Sequence, residues 1–145
     1  MESRSGEYAR EREKHTKDII SQITEKKGRL NVSVNSRQKG KRNELKLAHF
    51  FQRWGFEARR GQQFSGLQGD ADVVGVPYLH LECKAVQKLN LDKAMEQSIR
   101  DAREGEIPTV VHRKDRQEWR ITLALEDFMP IFMAYVEKRK EQNNG

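Results

Sequence analysis

Two short stretches decide the fold, Gly69-Asp70-Ala71-Asp72-Val73-Val74 and Leu79-His80-Leu81-Glu82-Cys83-Lys84. In the second stretch apolar and polar residues alternate with the period of a β-strand, so Glu82 and Lys84 share one face. The first stretch predicts a short strand that enters a turn. Antiparallel pairing of the two strands would bring Asp72 next to Glu82.

This arrangement of carboxylates predicts a metal site. Two neighbouring carboxylates repel each other unless a cation offsets their charge. Mg²⁺, with Mn²⁺ as its substitute, prefers oxygen ligands and retains several waters, so Asp72, Glu82 and the main-chain carbonyl of Cys83 form a sufficient set. Lys84 would orient or deprotonate the attacking water and stabilise charge on a phosphate. The chemistry predicted is phosphodiester cleavage, and Asp70 stays open as the alternative to Asp72.

The same residues resemble a known nuclease motif. Asp72, a nine-residue spacer and Glu82-Cys83-Lys84 resemble the core of the PD-(D/E)xK nuclease superfamily, whose proline is replaced by Ala71. The helix opening at residues 39–44 and the run over 89–114 are similar to archaeal-type and phage-encoded Holliday junction resolvases. The resemblance extends over residues 38–132.

The resemblance carries further expectations. It implies an α/β fold with a restriction-endonuclease-like core, in which a mixed central β-sheet is flanked by α-helices. It implies that Glu44 assists the metal and that Gln97 approaches the active centre, so that both are catalytic candidates. The implied substrate is the four-way DNA junction of recombination or phage DNA processing. Because two opposed strands of a symmetric junction are cut, two sites are needed, which predicts a homodimer.

Two other functions stay open beside junction resolution. A nuclease of the same fold would act on linear, nicked or flapped DNA. A non-catalytic nucleic-acid-binding module would use Asp72, Glu82 and Lys84 as a structural ion cluster. Both alternatives share the DNA partner.

Positive charge is concentrated upstream of the acidic motif. Residues 1–60 hold 16 Lys or Arg against 8 Asp or Glu, whereas residues 61–145 hold 12 against 14. Cationic side chains that contact phosphates supply most non-specific affinity for nucleic acid. The predicted DNA-binding residues are Arg37, Lys39, Lys41, Arg42, Arg59 and Arg60, with Arg113 and Lys114 at a hairpin tip.

Length and composition bound the class of protein. A chain of 145 residues predicts one nuclease domain over residues 37–145, preceded by a basic helical arm over residues 1–36. The sequence lacks an apolar run long enough for a membrane span or a signal peptide. A single cysteine fits a reducing compartment. The predicted location is the cytoplasm, that of the host cell if the protein is phage-encoded.

Hydrophobic periodicity predicts the secondary structure outside the motif. Helices are expected over residues 7–26, with Gly28 as the stop, from a cap near Asn43 to about Trp54, and from Leu91 to about Arg103 with Asn90 as cap. Residues 31–36 are ambiguous between strand and linker. A strand is expected over 56–60, and a hairpin over 109–123. The glycine-rich loop over 61–69 would contact substrate or simply connect two strands.

Two predicted helices carry apolar residues whose burial can be anticipated. In the helix from Leu91, the expected buried residues are Ala94, Met95, Ile99 and Ala102. The last helix, interrupted or started at Pro130 and continuing to about Lys138, is rich in Phe, Met and Ile. These side chains would cover the sheet, which is the commoner arrangement for such a stripe, or form a dimer contact.

Overall fold

The computed structural model describes the backbone of residues 4–62 and 70–145, and the side chains of residues 13–25, 35–62 and 70–145. Its elements are α1 (Arg4–Arg53), β1 (Arg59–Arg60), β2 (Val73–Val74), β3 (Leu79–Ala85), α2 (Leu91–Asp101), β4 (Ile107–Arg113), β5 (Arg120–Thr122) and α3 (Leu125–Asn143). The predicted loop over 61–69 lies outside the described residues from position 63 onward.

The chain forms two compact units, Met1–Lys39 and Gly40–Gly145. The boundary predicted between residues 36 and 37 stays a prediction. Among the described residues, no helix has both the length and the apolar character needed to cross a membrane.

The sheet has five strands in the order β1-β2-β3-β4-β5. All neighbouring pairs are antiparallel except β3 and β4, which are parallel. Parallel strands need a long crossover, and α2 provides it between β3 and β4. The predicted α/β class with a mixed sheet is confirmed, and the predicted strand over 56–60 is confined to Arg59–Arg60.

Helix α1 is continuous where the sequence predicted a stop and a new start. It runs from Arg4 to Arg53 through Gly28, through the ambiguous stretch 31–36 and past Asn43. An interior glycine destabilises a helix by only about 1 kcal/mol relative to alanine, which good helix formers on both sides offset. The predicted end at Gly28 is therefore wrong. The predicted cap at Asn43 is also wrong, because its buried side chain accepts a hydrogen bond from Arg113 Nη2 at 3.0 Å.

The C-terminal end of α1 lies where the sequence predicted it. Gly55 adopts a left-handed φ of 91°, and its N–H donates to the carbonyl of Gln52 at 3.0 Å. The N–H of Phe56 donates to the carbonyl of Phe51 at 3.2 Å, and the two rings meet edge to face at 6.4 Å. These are the paired hydrogen bonds and the apolar contact of a Schellman motif.

The main core lies between the last turns of α1 and one face of the sheet. Leu47 and Ala48 from α1 pack with Leu81 of β3 and Val111 of β4, and the side chain of Cys83 is packed against them. Cys83 thus points to the core, as the strand alternation predicted. The opposite face of β3, which carries His80, Glu82 and Lys84, is left for α2.

Helix α2 begins at its predicted cap but buries a different face. The N–H of Lys93 donates to Asn90 Oδ1 at 3.1 Å. Ala94 is buried as predicted, whereas Ile99 is 59% exposed. Ser98 is fully buried in its place, because the Thr109 N–H donates to its hydroxyl at 2.9 Å. Small residues four positions apart let the helix approach the sheet closely.

Helix α3 passes through Pro130 without interruption. None of its side chains is buried, so the prediction that they cover the sheet is wrong. The exposed apolar residues of α3 are Leu125, Phe128, Met129, Ile131, Phe132, Met133 and Tyr135. Such a surface on a small protein indicates an interaction site.

Candidate active site

The two carboxylates of the motif lie side by side. Val73 of β2 pairs with Leu81 of β3 in antiparallel register, which sets Asp72 beside Glu82. Both residues are buried, with 8% and 3% of their surface exposed. Burial, followed by the nearby charge of Glu82, raises the pKa of Asp72 to about 7. The predicted antiparallel pairing and the convergence of these carboxylates are thereby confirmed.

The orientation of Asp72 is fixed by the sheet itself. The main-chain N–H of Cys83 donates to Asp72 Oδ2 at 2.8 Å. Asp70 faces another group, since its carboxylate accepts hydrogen bonds from the Gln62 N–H at 3.2 Å and from Arg103 Nη2 at 3.4 Å. Of the two candidate aspartates, Asp72 is therefore the one whose environment contains Glu82.

Lys84, Glu82 and Gln97 form a connected group on the α2 side of the sheet. Gln97 Nε2 donates to Glu82 Oε2 at 3.3 Å, and Lys84 Nζ donates to Gln97 Oε1 at 3.3 Å. The amide of Gln97 thus lies between an anion and a cation and contacts each with the matching atom. The structure brings together these three residues, which the sequence had named separately.

A second acid, Glu106, stands behind Glu82 and was missed from the sequence. His80 Nε2 lies 3.1 Å from Glu82 Oε1, and His80 Nδ1 lies 3.3 Å from Glu106 Oε2. The hydrogen bond with Glu82 is the main cause that raises the pKa of His80, against the opposing effect of burial. Only the parallel register of β3 and β4 brings Glu106 to this position, and local sequence patterns do not give that register.

Glu44 and Arg60 form an ion pair at the edge of this cluster. Arg60 Nε donates to Glu44 Oε2 at 2.8 Å. The charge of Glu44 contributes to the raised pKa of Asp72, so α1 brings this acid within electrostatic reach of the motif. The guanidinium of Arg60, predicted to bind DNA, is directed at Glu44 instead of standing alone.

Cys83 is unsuited to nucleophilic chemistry. Burial and the charge of Asp72 raise the pKa of its thiol to about 12, and only the thiolate is an effective nucleophile.

The carboxylates provide a suitable environment for a hard divalent cation. Within residues 4–62 and 70–145, no group of three or more His, Cys, Asp or Glu side chains is arranged to hold a metal ion. Mg²⁺ requires less, because one or two carboxylates suffice when waters and phosphate oxygens complete its shell. The mutual repulsion of Asp72 and Glu82, visible in the raised pKa, is what a bound cation relieves.

The other predicted DNA contacts are spread over several elements. Arg37 and Lys39 belong to the first unit, and Lys41 and Arg42 to the second. Arg59 and Lys114 are exposed. Arg113 is held by Asn43 and by the ring of Trp119, whose centroid lies 4.2 Å from its guanidinium carbon.

Comparison with known proteins identifies the family. A family model described as "Phage putative PDDEXK endonuclease" matches residues 35–143, about three quarters of the chain. The chain belongs to this family. The predicted PD-(D/E)xK nuclease superfamily is thereby confirmed, and members of that superfamily generally depend on a divalent metal. Searches of curated proteins and of solved structures give no match.

Membership in the PDDEXK family gives the clustered side chains a chemical context. Asp72, Glu82 and Lys84 occupy the positions of the motif's acid, second acid and lysine. Nothing in the motif itself names Gln97 or Glu106, whose hydrogen bonds reach Glu82 directly and through His80. The fold thus adds two side chains that position the central carboxylate.

Proposed function

We propose that this protein is a Mg²⁺-dependent DNA endonuclease that resolves four-way junctions as a homodimer in recombination or phage DNA processing. One observation carries the proposal, namely the buried pair Asp72 and Glu82 on adjacent strands with Lys84 on the same face as Glu82. The proposed place of action is the cytoplasm, where such DNA is found, and in the host cell for a phage enzyme.

Each side chain has a role in this proposal. Asp72, Glu82 and the main-chain carbonyl of Cys83 would hold Mg²⁺, or Mn²⁺, which accepts the same oxygen ligands. The bound cation would neutralise charge on the scissile phosphate and lower the pKa of the attacking water. Lys84 would orient that water and stabilise the charge that develops on the phosphate. Gln97 would keep Lys84 at a fixed distance from Glu82.

Glu44 would act from α1 as an assisting acid. Its ion pair with Arg60 moderates the negative charge that it adds to the cluster, so a cation would be needed chiefly by Asp72 and Glu82. The exposed residues Lys41, Arg42 and Arg59 would contact the DNA backbone around the site.

The deciding experiment compares substrates under metal titration. We expect a labelled four-way junction to be cut at two opposed strands when Mg²⁺ is added, and a linear duplex of the same sequence to be cut much more slowly. Chelation should stop the cleavage, and Mn²⁺ should restore it.

Three outcomes distinguish the candidate functions. Equal cleavage of junction and linear duplex would replace junction resolution by general DNA cleavage. Binding of both DNAs without cleavage of either, at any divalent-metal concentration, would replace the enzyme by a binding module. Paired cuts confined to the junction would support the full proposal.

The exposed apolar face of α3 is the proposed dimer contact. Helix α3 has acids in its first turn, Glu126 and Asp127, and a basic last turn with Lys140. In a two-fold dimer the same surface meets itself, so two copies of α3 would pack antiparallel. Pairing centred on Phe132 places Glu126 opposite Lys138 of the second copy. The apolar middle of the helix and both charged ends are therefore self-complementary.

Phe132→Glu should weaken this dimer by roughly 30-fold or more, the effect of an interface hot spot of about 2 kcal/mol. The two-fold axis would bring the two introduced carboxylates together in an apolar contact, where like charges are strongly unfavourable. Sedimentation equilibrium measures the dissociation constant.

Gln142→Glu is the matched control for this variant, because it adds the same charge at an exposed position near the end of α3 and should leave the dimer unchanged. A wild-type protein that is monomeric at concentrations where it cuts junctions on both strands would contradict the dimer.

A further inference from the structure

A basic groove lies beyond the ends of β3 and β4. Its volume is about 640 Å³, within the range of pockets that accept small ligands or parts of larger ones. Its floor includes apolar side chains of Val86, Leu89 and Leu91. The charged residues that line it are Lys88, Arg113, Lys114 and Arg120, opposed by Glu118.

The charge of the groove is local and runs against the surrounding sequence. Residues 61–145 hold more acids than bases, 14 against 12, yet the groove is lined by four cations and one acid. Burial and the charge of Arg120 lower the pKa of His112, a neighbour in the same groove, as expected in a positive field. The groove therefore favours an anionic ligand.

The groove continues the face of the sheet that carries the catalytic candidates. In the parallel pair of β3 and β4, Glu82 is opposite Val110 and Lys84 is opposite His112. Opposed residues of paired strands project to the same face, so His112 continues the line of Glu82 and Lys84 into the groove. An anion in the groove would thus lie next to whatever is held at Lys84.

Two groove cations are available to a ligand in ways that Arg113 is not. Arg113 already bonds Asn43 and stacks on Trp119, so its charge contributes to the field from a fixed position. Lys88 and Arg120 are exposed and line the groove. Neither was singled out by the sequence, because each is an isolated cation there.

We propose that this groove binds a backbone phosphate of the DNA within about two nucleotides of the bond that is cut, with Lys88 and Arg120 as its main contacts. The inference rests on the proposed nuclease function and adds a specific binding subsite to it. A flexible lysine and a planar guanidinium on either side of an apolar floor suit a phosphodiester, whose sugar is apolar and whose oxygens are charged.

The test uses the double variant Lys88→Gln/Arg120→Gln in the full-length Glu82→Gln protein, so that the DNA is bound without being cut. The affinity for DNA should fall about tenfold. The slope of log affinity against log salt should become shallower by about 1.8, because each lost phosphate contact on duplex DNA removes about 0.9 from it. Arg100→Gln/Lys140→Gln, which removes two exposed cations from α2 and α3, is the matched control and should change the slope far less.

Phosphate ethylation interference then locates the contact. The parent protein should be sensitive to ethylation within about two nucleotides of the cut, and the double variant should lose that sensitivity. An unchanged salt slope together with unchanged interference would overturn the groove while leaving cleavage by the wild-type protein untouched. Absence of cleavage by the wild-type protein would overturn the proposed function, whatever the salt slope of the groove variant.

Discussion

Asp72→Asn should lower the rate of DNA cleavage by about 10²–10³-fold, the scale of losing one group that stabilises transition-state charge. The substitution keeps the shape of the side chain and its bond with the Cys83 N–H but removes a charge that would hold the cation. Asp70→Asn, two residues away, should keep most of the activity, because Asp70 is bonded to Gln62 and Arg103 rather than grouped with Glu82.

Single-turnover cleavage of the same DNA by the two variants measures this difference. Melting temperatures of both proteins without metal serve as the control for folding. If Asp70→Asn were the inactive variant and Asp72→Asn the active one, the assignment of the metal ligand would have to be reversed.

Gly61→Ala should destabilise the second unit by about 2–3 kcal/mol, the effect of forcing atoms into a filled space. A methyl group at Gly61 would overlap the main-chain carbonyl of Ala71. Backbone is the part of a protein least able to move aside, and the Gly61 N–H also donates to the Asp72 carbonyl at 3.0 Å. The melting temperature should fall by roughly 6–12 °C.

Tryptophan fluorescence follows this unfolding, since Trp54 and Trp119 both belong to the second unit. Gly40→Ala is the control, because it lies inside α1 with open space around the added methyl group and should stabilise the helix by about 0.5–1 kcal/mol. Equal melting temperatures for Gly61→Ala and the wild type would show that the strand carrying Asp72 tolerates displacement.

The candidate site was largely predictable because its information is local. Alternation along β3 fixed the shared face of Glu82 and Lys84, and the short connection from β2 fixed the antiparallel return that brings Asp72 to them. The approach of Gln97 was implied by the family resemblance, and the structure adds its hydrogen bonds to both residues.

The features that escaped prediction depend on long-range pairing or on balances of small energies. Glu106 reaches His80 only through the parallel register of two strands separated by α2. Ser98 replaces Ile99 in the interface because a hydrogen bond to Thr109 outweighs the apolar preference that the helical pattern expressed. In α1, no single residue opposed the helix by more than about 1 kcal/mol, so punctuation by Gly28 failed.

The bond from the Cys83 amide to Asp72 ties the chemistry to the integrity of the sheet. A side-chain oxygen accepts here from a strand N–H, beside a strand, β2, that is only two residues long. Any opening that lifts β2 from β3 releases the carboxylate at the same moment, so a partly frayed state that retains a competent ligand set does not exist. The exchange of this one amide proton with solvent therefore reports the fraction of molecules whose cleavage machinery is disassembled.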